Sequence, residues 1–405
     1  MNIEALIASA ADQGASDLHL EPGLPPAFRV RGQLKIAGKT VDNQALATDA
    51  KAILGESHWN QFLERGSFDL SRSIQGIRCR LNILRTARGI GFAIRLFNSF
   101  EASLRRLNLH PELKSLIHNQ HGLVVISGPT GSGKSSTLAA LIHEINLTEA
   151  RHIVTVESPI EYRFRPRHSY IRQREVGRDT PSFQQALIDS LREDPDVIMV
   201  GEMRDPETIR LTLNAAETGH LVFVTVHSSN TTEAIQRIVS AFPAESQNGI
   251  CAQLADCLVG VVAQRLRYRE DIKQRIPECE ILRSSNAVKA HLHSGDFYKL
   301  KSALEMGAEH GMWTFDRYAR WLSQKKEFYT TEQARNEIST EEEEPEREPL
   351  ESVPSSGPPK KTFIPRSTDR PHSPSSLAPG KDPIEIEPGL SELGRILRPN
   401  SPEKS

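Results

Sequence analysis

Gly128, Pro129, Thr130, Gly131, Ser132, Gly133, Lys134 and Ser135 form a Gly-x4-Gly-Lys-Ser run between an apolar stretch, 123–127, and a helix-forming stretch, 136–145. That spacing is the chemistry of a phosphate cradle. Glycines let the backbone turn its N–H groups inward on a polyphosphate, and the positive end of the following helix adds to them. Lys134 supplies a mobile charge, Ser135 offers a hydroxyl to Mg²⁺, and Ser136 completes the set assigned to ATP. The pattern predicts nucleoside triphosphate binding.

Hydrolysis also needs a base. Residues 196–202 read Asp-Val-Ile-Met-Val-Gly-Glu, a buried strand whose end delivers the Glu202 carboxylate to the sheet edge where nucleotides sit. Glu202 is the first candidate to orient and deprotonate the attacking water. The preceding position, often a metal-holding Asp in P-loop enzymes, is Gly201, so another carboxylate has to help the metal. Glu157, at the end of the strand-like run 152–156, is the obvious one, with Glu161 following it. Residues 219–228 form a further strand bracketed by His220 and His227, and a histidine there can sense the γ-phosphate. His227, at the C-terminal end, falls on the P-loop edge and joins Glu202 and Glu157 as a catalytic candidate. His220 enters from the other end and is the second candidate sensor.

Arg78, Arg80, Arg88 and Arg95 crowd a short part of the N-terminal region. Arginines from another domain or subunit can offset charge developing on a leaving phosphate. On spacing alone a solvated basic strand is the simpler reading. A second basic cluster, 163–178, interleaves Phe164 and Tyr170 with arginines and follows Tyr162. It reads equally as a loop at a subunit interface or a nucleic-acid surface.

These residues need scaffolds. Up to about residue 98 a short helix-like start is mixed with alternating stretches such as 27–30 and 78–84, which predicts a small α+β domain. From 101 to about 326, the apolar runs 123–127, 152–156, 197–200 and 221–226 alternate with helical segments, the pattern of a parallel sheet covered by helices. A helical block holds 302–306 and 313–322. Beyond 337 an acidic run, 341–344, opens a proline- and serine-rich stretch poor in large apolar residues, which predicts a disordered tail. Leu390, Leu393, Ile396 and Leu397 would share one face of a short helix there, by chance or as a docking peptide.

The chain has 405 residues, enough for two or three domains, and a net charge of −2. From Glu341 onward 13 acidic residues face 9 basic ones, and the rest carries 39 against 41. A nearly neutral body gives nucleic acid no electrostatic attraction. Cys79, Cys251, Cys257 and Cys279 lack the spacing of a zinc knuckle or a disulfide framework and read as reduced and structural. With no apolar run of spanning length and no basic start, the expected location is cytoplasmic or peripheral to a membrane.

Together these stretches resemble the secretion-superfamily motor ATPases, in the PilT/PilU branch that drives type IV pilus retraction and twitching motility. The resemblance spans roughly 15–322. Its carriers are Ala15-Ser-Asp-Leu-His-Leu, Gly23-Leu-Pro-Pro, the P-loop, Thr155-Val-Glu-Ser-Pro-Ile-Glu-Tyr, Arg192-Glu-Asp-Pro-Asp, Gly201-Glu-Met-Arg-Asp, the segment 216–227, and Gly311-Met-Trp-Thr-Phe-Asp. It implies an N-terminal PAS-like α+β domain over 1–100, a RecA-like P-loop ATPase domain over 101–336, and a tail over 337–405. It further implies a homohexamer holding ATP and Mg²⁺ between the two domains, with Arg80 and Arg95 matching arginines that reach the phosphates. The expected partners are the inner-membrane pilus platform protein and a paralogous PilT-type ATPase, not nucleic acid. The expected place is the inner face of the cytoplasmic membrane. Assembly or type II secretion ATPases are the alternative, though no Cys-x2-Cys pair of the latter's zinc module is present, and an ATP-binding scaffold is a third reading. Two departures stand out: Ser158 replaces the usual aspartate after Glu157, and the retraction signature reads Ala287-Val-Lys-Ala-His-Leu-His-Ser. The first implies weaker metal positioning or water orientation and lower activity, and the second points to a PilU-like accessory or a divergent homologue.

Overall fold

Ile3, Leu6, Ile7 and Ala10 recur at helical spacing and are all buried on α1 (Ile3–Asp12), whose first turn is capped by the Asn2 side chain accepting from the Glu4 N–H at 2.9 Å. This is a computed structural model, and it describes residues 2–330 except 31 and 98–101, together with Gln333. These belong to one unit, Met1–Pro345; the second, Glu346–Ser405, lies outside the described residues, as do the expected tail and its leucine face.

After α1 come β1 (Ala15–Leu20), β2 (Ala27–Val30), β3 (Gln33–Ile36), α2 (Asn43–Arg65), β4 (Ser67–Ile74), β5 (Ile77–Thr86) and β6 (Gly89–Leu96). The strands form an antiparallel sheet in the order β3-β2-β1-β6-β5-β4. Alternation along β5 sends Cys79, Leu81 and Ile83 into a core shared with α1 and α2. Arg78 and Arg80 therefore share the opposite face, and Arg80 stands across from Arg95 of β6. The helix α2 is broken at Gly55, whose φ of 67° only glycine adopts at no steric cost.

The second sheet is laid down by β7 (Gly122–Ser127), α3 (Lys134–Thr148), β8 (His152–Glu157), β9 (Tyr170–Glu175), α4 (Phe183–Ser190), β10 (Val197–Val200), α5 (Pro206–Glu217), β11 (Leu221–Val226), α6 (Thr231–Ser240), α7 (Ala244–Cys257), β12 (Leu258–Arg269) and β13 (Gln274–Arg283). The helices α8 (Asn286–His293), α9 (Leu300–Met306) and α10 (Phe315–Gln324) follow. Strand order is β13-β12-β7-β11-β10-β8-β9, parallel except for the β12–β13 hairpin. The central strands are buried on both faces, which is why they read as continuous apolar runs. Leu123 and Val125 of β7 pack with α5 to α9, whereas Val124 and Ile126 pack with α3 and α10. Each such fully buried aliphatic side chain contributes about 1.5–3 kcal/mol. The signature segment runs along α8 from Ala287 to His293 and ends on its C-cap, Ser294; Val288 and Leu292 join the first of those cores.

The α/β expectation holds. The basic cluster 163–178, expected as a loop or a nucleic-acid surface, is corrected in part: it contains β9, an edge strand of the second sheet. Its Arg174 is paired with Asp189 at 3.2 Å, and Arg172 with Glu193. Those charges are neutralised within the fold. All four cysteines are buried and free.

Candidate active site

Parallel strands end at one edge, and there the chain places the P-loop after β7, Glu157 at the tip of β8, Glu202 after β10 and His227 after β11. In the P-loop, Gly128 and Gly133 have φ of 153° and 88°. A Cβ on Gly128 would stand 2.4 Å from both the Gln264 carbonyl oxygen and Ser132 Oγ, so only glycine fits. Pro129, Thr130 and Ser135 are exposed, as is Gly131. Lys134 Nζ donates to the carbonyls of Gly128 at 2.9 Å and Pro129 at 3.1 Å. Burial pushes its pKa down, against the pull of Glu202 and Glu161. A cation held at the lip of a glycine cradle, with the buried Ser132 Oγ lacking a protein partner, suits an anionic ligand.

Gln264, in the middle of β12, was not anticipated from sequence. Its Nε2 donates to the Ser132 carbonyl at 2.7 Å, and its Oε1 accepts from Thr137 Oγ1 at 2.6 Å. One buried amide thus ties the loop to the first turn of α3. The neighbouring Ser136 hydroxyl meets Tyr162 Oη at 2.7 Å, which fastens the same turn to the segment after β8.

Of the two candidate glutamates of that segment, Glu161 is the one beside Ser135. Alternation puts Glu157 on the same face of β8 as Thr155, where its carboxyl accepts from Thr155 Oγ1 at 2.7 Å and Gln173 Nε2 at 3.1 Å. Burial there raises its pKa to about 7. Glu157, expected to be catalytic or to assist the metal, is thus buried at the strand tip with its Oε1 turned to Thr155 and Gln173. Glu161 instead stands beside the Ser135 hydroxyl, with Arg80, Arg95 and Lys134 close enough to favour its ionised form. Burial is the larger influence and raises its pKa. A carboxylate and a hydroxyl at the mouth of a phosphate cradle are hard oxygen donors that fit Mg²⁺.

Glu202 is flanked on both sides: Arg204 Nη2 donates to Oε2 at 2.6 Å, and His227 Nε2 lies 3.0 Å from Oε1. Burial disfavours its charge, but Arg204, His227 and Lys134 outweigh that and lower its pKa. His227 is itself held below the usual histidine range, by burial first and then by Lys134. An ionised Glu202 with a neutral His227 ring 3.0 Å away is an arrangement able to steer and deprotonate a water. The strand end at Gly201 leaves little room for an aspartate, since a Cβ would come within 3.2 Å of the Val156 carbonyl.

His220 is elsewhere. It precedes β11 at the opposite edge, where its Nδ1 lies 2.9 Å from the Ala215 carbonyl at the end of α5, so in this chain it does not reach the P-loop edge as a sensor. Arg80 is held by Asp69, with Nε 3.1 Å from Oδ1, and Arg95 Nε donates to Asp17 at 3.1 Å. Both nevertheless act on Glu161, so the first sheet turns its arginine face toward the P-loop edge. Arg88 lies apart, beside Gly23.

The profile of the type II/IV secretion system proteins matches residues 1–317. The type IV pilus retraction ATPase PilT of Pseudomonas aeruginosa is 38% identical over 327 residues, which is 80% of this chain and 95% of that protein. The type IV pilus ATPase PilU of the same organism is 34% identical over 319 residues, 78% of this chain and 84% of its own length. A crystal structure of the pilus retraction motor PilT with bound ADP superposes with a TM-score of 0.74 at 36% identity, covering 83% of this chain and 96% of the other.

Proposed function

This chain belongs to the type II/IV secretion system protein family as a PilT/PilU-type ATPase, and from that membership we propose that it is an ATP-hydrolysing motor of type IV pilus retraction. The observation that carries the reading is the Glu202–His227 pair at 3.0 Å on the same sheet edge as Lys134. Lys134 would exchange the Gly128 and Pro129 carbonyls for phosphate oxygens. Glu202, ionised and oriented by His227, would take the proton of the attacking water. Mg²⁺, held by Ser135 and Glu161, would offset phosphate charge.

Arg80 and Arg95 approach from the first sheet, so turnover is read as tied to movement between the parts over 1–100 and 101–336. In this reading six copies form a ring that works against the pilus platform protein at the inner face of the cytoplasmic membrane. Among the described residues no helix is long and apolar enough to cross a membrane, which agrees with a peripheral position. The departure of the signature on α8 favours a second reading, an accessory subunit of a paralogous PilT-type ATPase.

The test is ATP hydrolysis by the full-length chain against Lys134→Ala and Glu202→Gln, with pili counted in a deletion strain. Loss of hydrolysis in both variants and an excess of unretracted pili are expected. Equal hydrolysis by all three proteins, or bald cells, would sink the retraction motor. Retraction surviving Lys134→Ala while a paralogue co-purifies would move the assignment to the accessory.

A further inference from the structure

Arg78 lies between the sheets and is only 7% exposed. Its Nε donates to the Ile160 carbonyl at 3.0 Å, and its Nη2 meets Glu175 Oε2 at 3.1 Å. Glu175, at the end of β9, is 4% exposed and accepts as well from Ser71 Oγ at 2.6 Å and from the Ile160 N–H at 3.3 Å. One guanidinium and one carboxylate thus join β4 and β5 of the first sheet to β9 of the second. Both grip the peptide groups of Ile160, the residue before Glu161. Arg178 contacts the same carboxylate at 3.5 Å, from a half-exposed position. Arg78 is also two residues before Arg80 on the same strand face.

A buried ion pair is poor evidence for stability, because desolvating both charges costs about as much as their attraction returns. Its geometry is what is specific: a planar fork that satisfies a carbonyl and a carboxylate together has one orientation. We infer that Arg78 and Glu175 are a positioning pair, which sets the first sheet, and with it Arg80 and Arg95, against the loop that presents Glu161 to the P-loop. The inference rests on the ATPase reading for its catalytic consequence. Neither residue touches the nucleotide in this account; both act through Glu161 and Arg80.

The experiment compares Arg78→Met, Arg78→Lys, Glu175→Leu and the double variant Arg78→Met/Glu175→Leu in the full-length chain. Fluorescent ADP affinity, the ATP turnover number, the urea midpoint and amide exchange over 158–162 are followed. Each single variant is expected to bind ADP within about threefold of the parent while turnover falls about 100-fold, since the P-loop half is intact and the opposite half is misplaced. Exchange over 158–162 rises in each. Arg78→Lys keeps the charge but cannot serve both acceptors, so it does not rescue turnover. The double variant recovers the urea midpoint, as apolar replacements of buried pairs do, yet stays slow. Turnover returning with stability in the double variant would overturn the proposal, as would parental turnover and exchange in Arg78→Met. Should the parent hydrolyse no ATP, the functional reading fails, and exchange over 158–162 alone decides the positioning role: a rise supports it and no change overturns it.

Discussion

Glu202 Oε1 and His227 Nε2 lie 3.0 Å apart although 25 residues separate them in the chain, because β10 and β11 are parallel neighbours that end at the same edge. Glu202 is held below its ordinary range and His227 below 6.5, so near neutral pH the pair is an ionised carboxylate beside a neutral imidazole.

Glu202→Gln should lower the ATP turnover number about 10²- to 10⁴-fold while leaving ADP affinity nearly unchanged, the loss expected for a general base. Parallel kinetics and nucleotide binding check this. Because both groups titrate below their ordinary values, the acid limb of the parent's pH–rate profile should fall below pH 6.5. An acid limb centred above that value would mean that His227 is not the neutral imidazole described.

Glu161 should carry the magnesium dependence. Glu161→Gln is expected to raise the Mg²⁺ concentration giving half-maximal turnover about 10- to 100-fold, the range for losing a group that holds or orients a metal. A Mg²⁺ titration at fixed ATP measures it. Glu157→Gln, whose carboxyl turns inward to Thr155 and Gln173, should leave that midpoint alone. The reverse pattern would restore the role that its position at the strand tip first suggested.

The scaffold of this site was legible where burial is continuous. The runs 123–127, 152–156, 197–200 and 221–226 are strands of a sheet covered on both faces, and motifs at their ends predicted that Glu202 and His227 share an edge. What escaped depends on long-range partners. The basic cluster around β9 gave no hint that Asp189 and Glu193 neutralise its Arg172 and Arg174, nor that Glu175 meets Arg78 from 97 residues away. Gln264 sits in a strand whose outer half reads polar, and its pairing with the P-loop spans 132 residues. The sequence ranks Glu157 above Glu161 because it does not show how the chain turns back after β8, and that turn decides which carboxylate reaches Ser135.

Gln264→Leu should weaken fluorescent ADP binding about tenfold. The change leaves the Ser132 carbonyl and Thr137 hydroxyl without their buried partner, at a cost of about 1–3 kcal/mol spread between loop geometry and stability. Calorimetric binding and a urea titration separate the two shares. Unchanged affinity with lowered stability would show that the loop keeps its shape without the amide.

Glu157 should make the fold pH-dependent, and the sign follows from its raised pKa. The folded chain holds the Glu157 proton up to about 7, whereas the unfolded chain releases it near 4.5. Between those values the folded state binds more protons, so stability falls as pH rises through the window and levels off above it. The total change is at most about 3.5 kcal/mol, at about 1.4 kcal/mol for each unit of pKa difference. Glu157→Gln keeps the shape and an acceptor for the Thr155 hydroxyl but carries no titrating proton. Its urea midpoint should therefore stay flat between pH 5 and 8 and exceed the parent's at the upper end. Denaturation series at several pH values check this; a variant that still loses stability with the parent's slope would place the titrating group elsewhere.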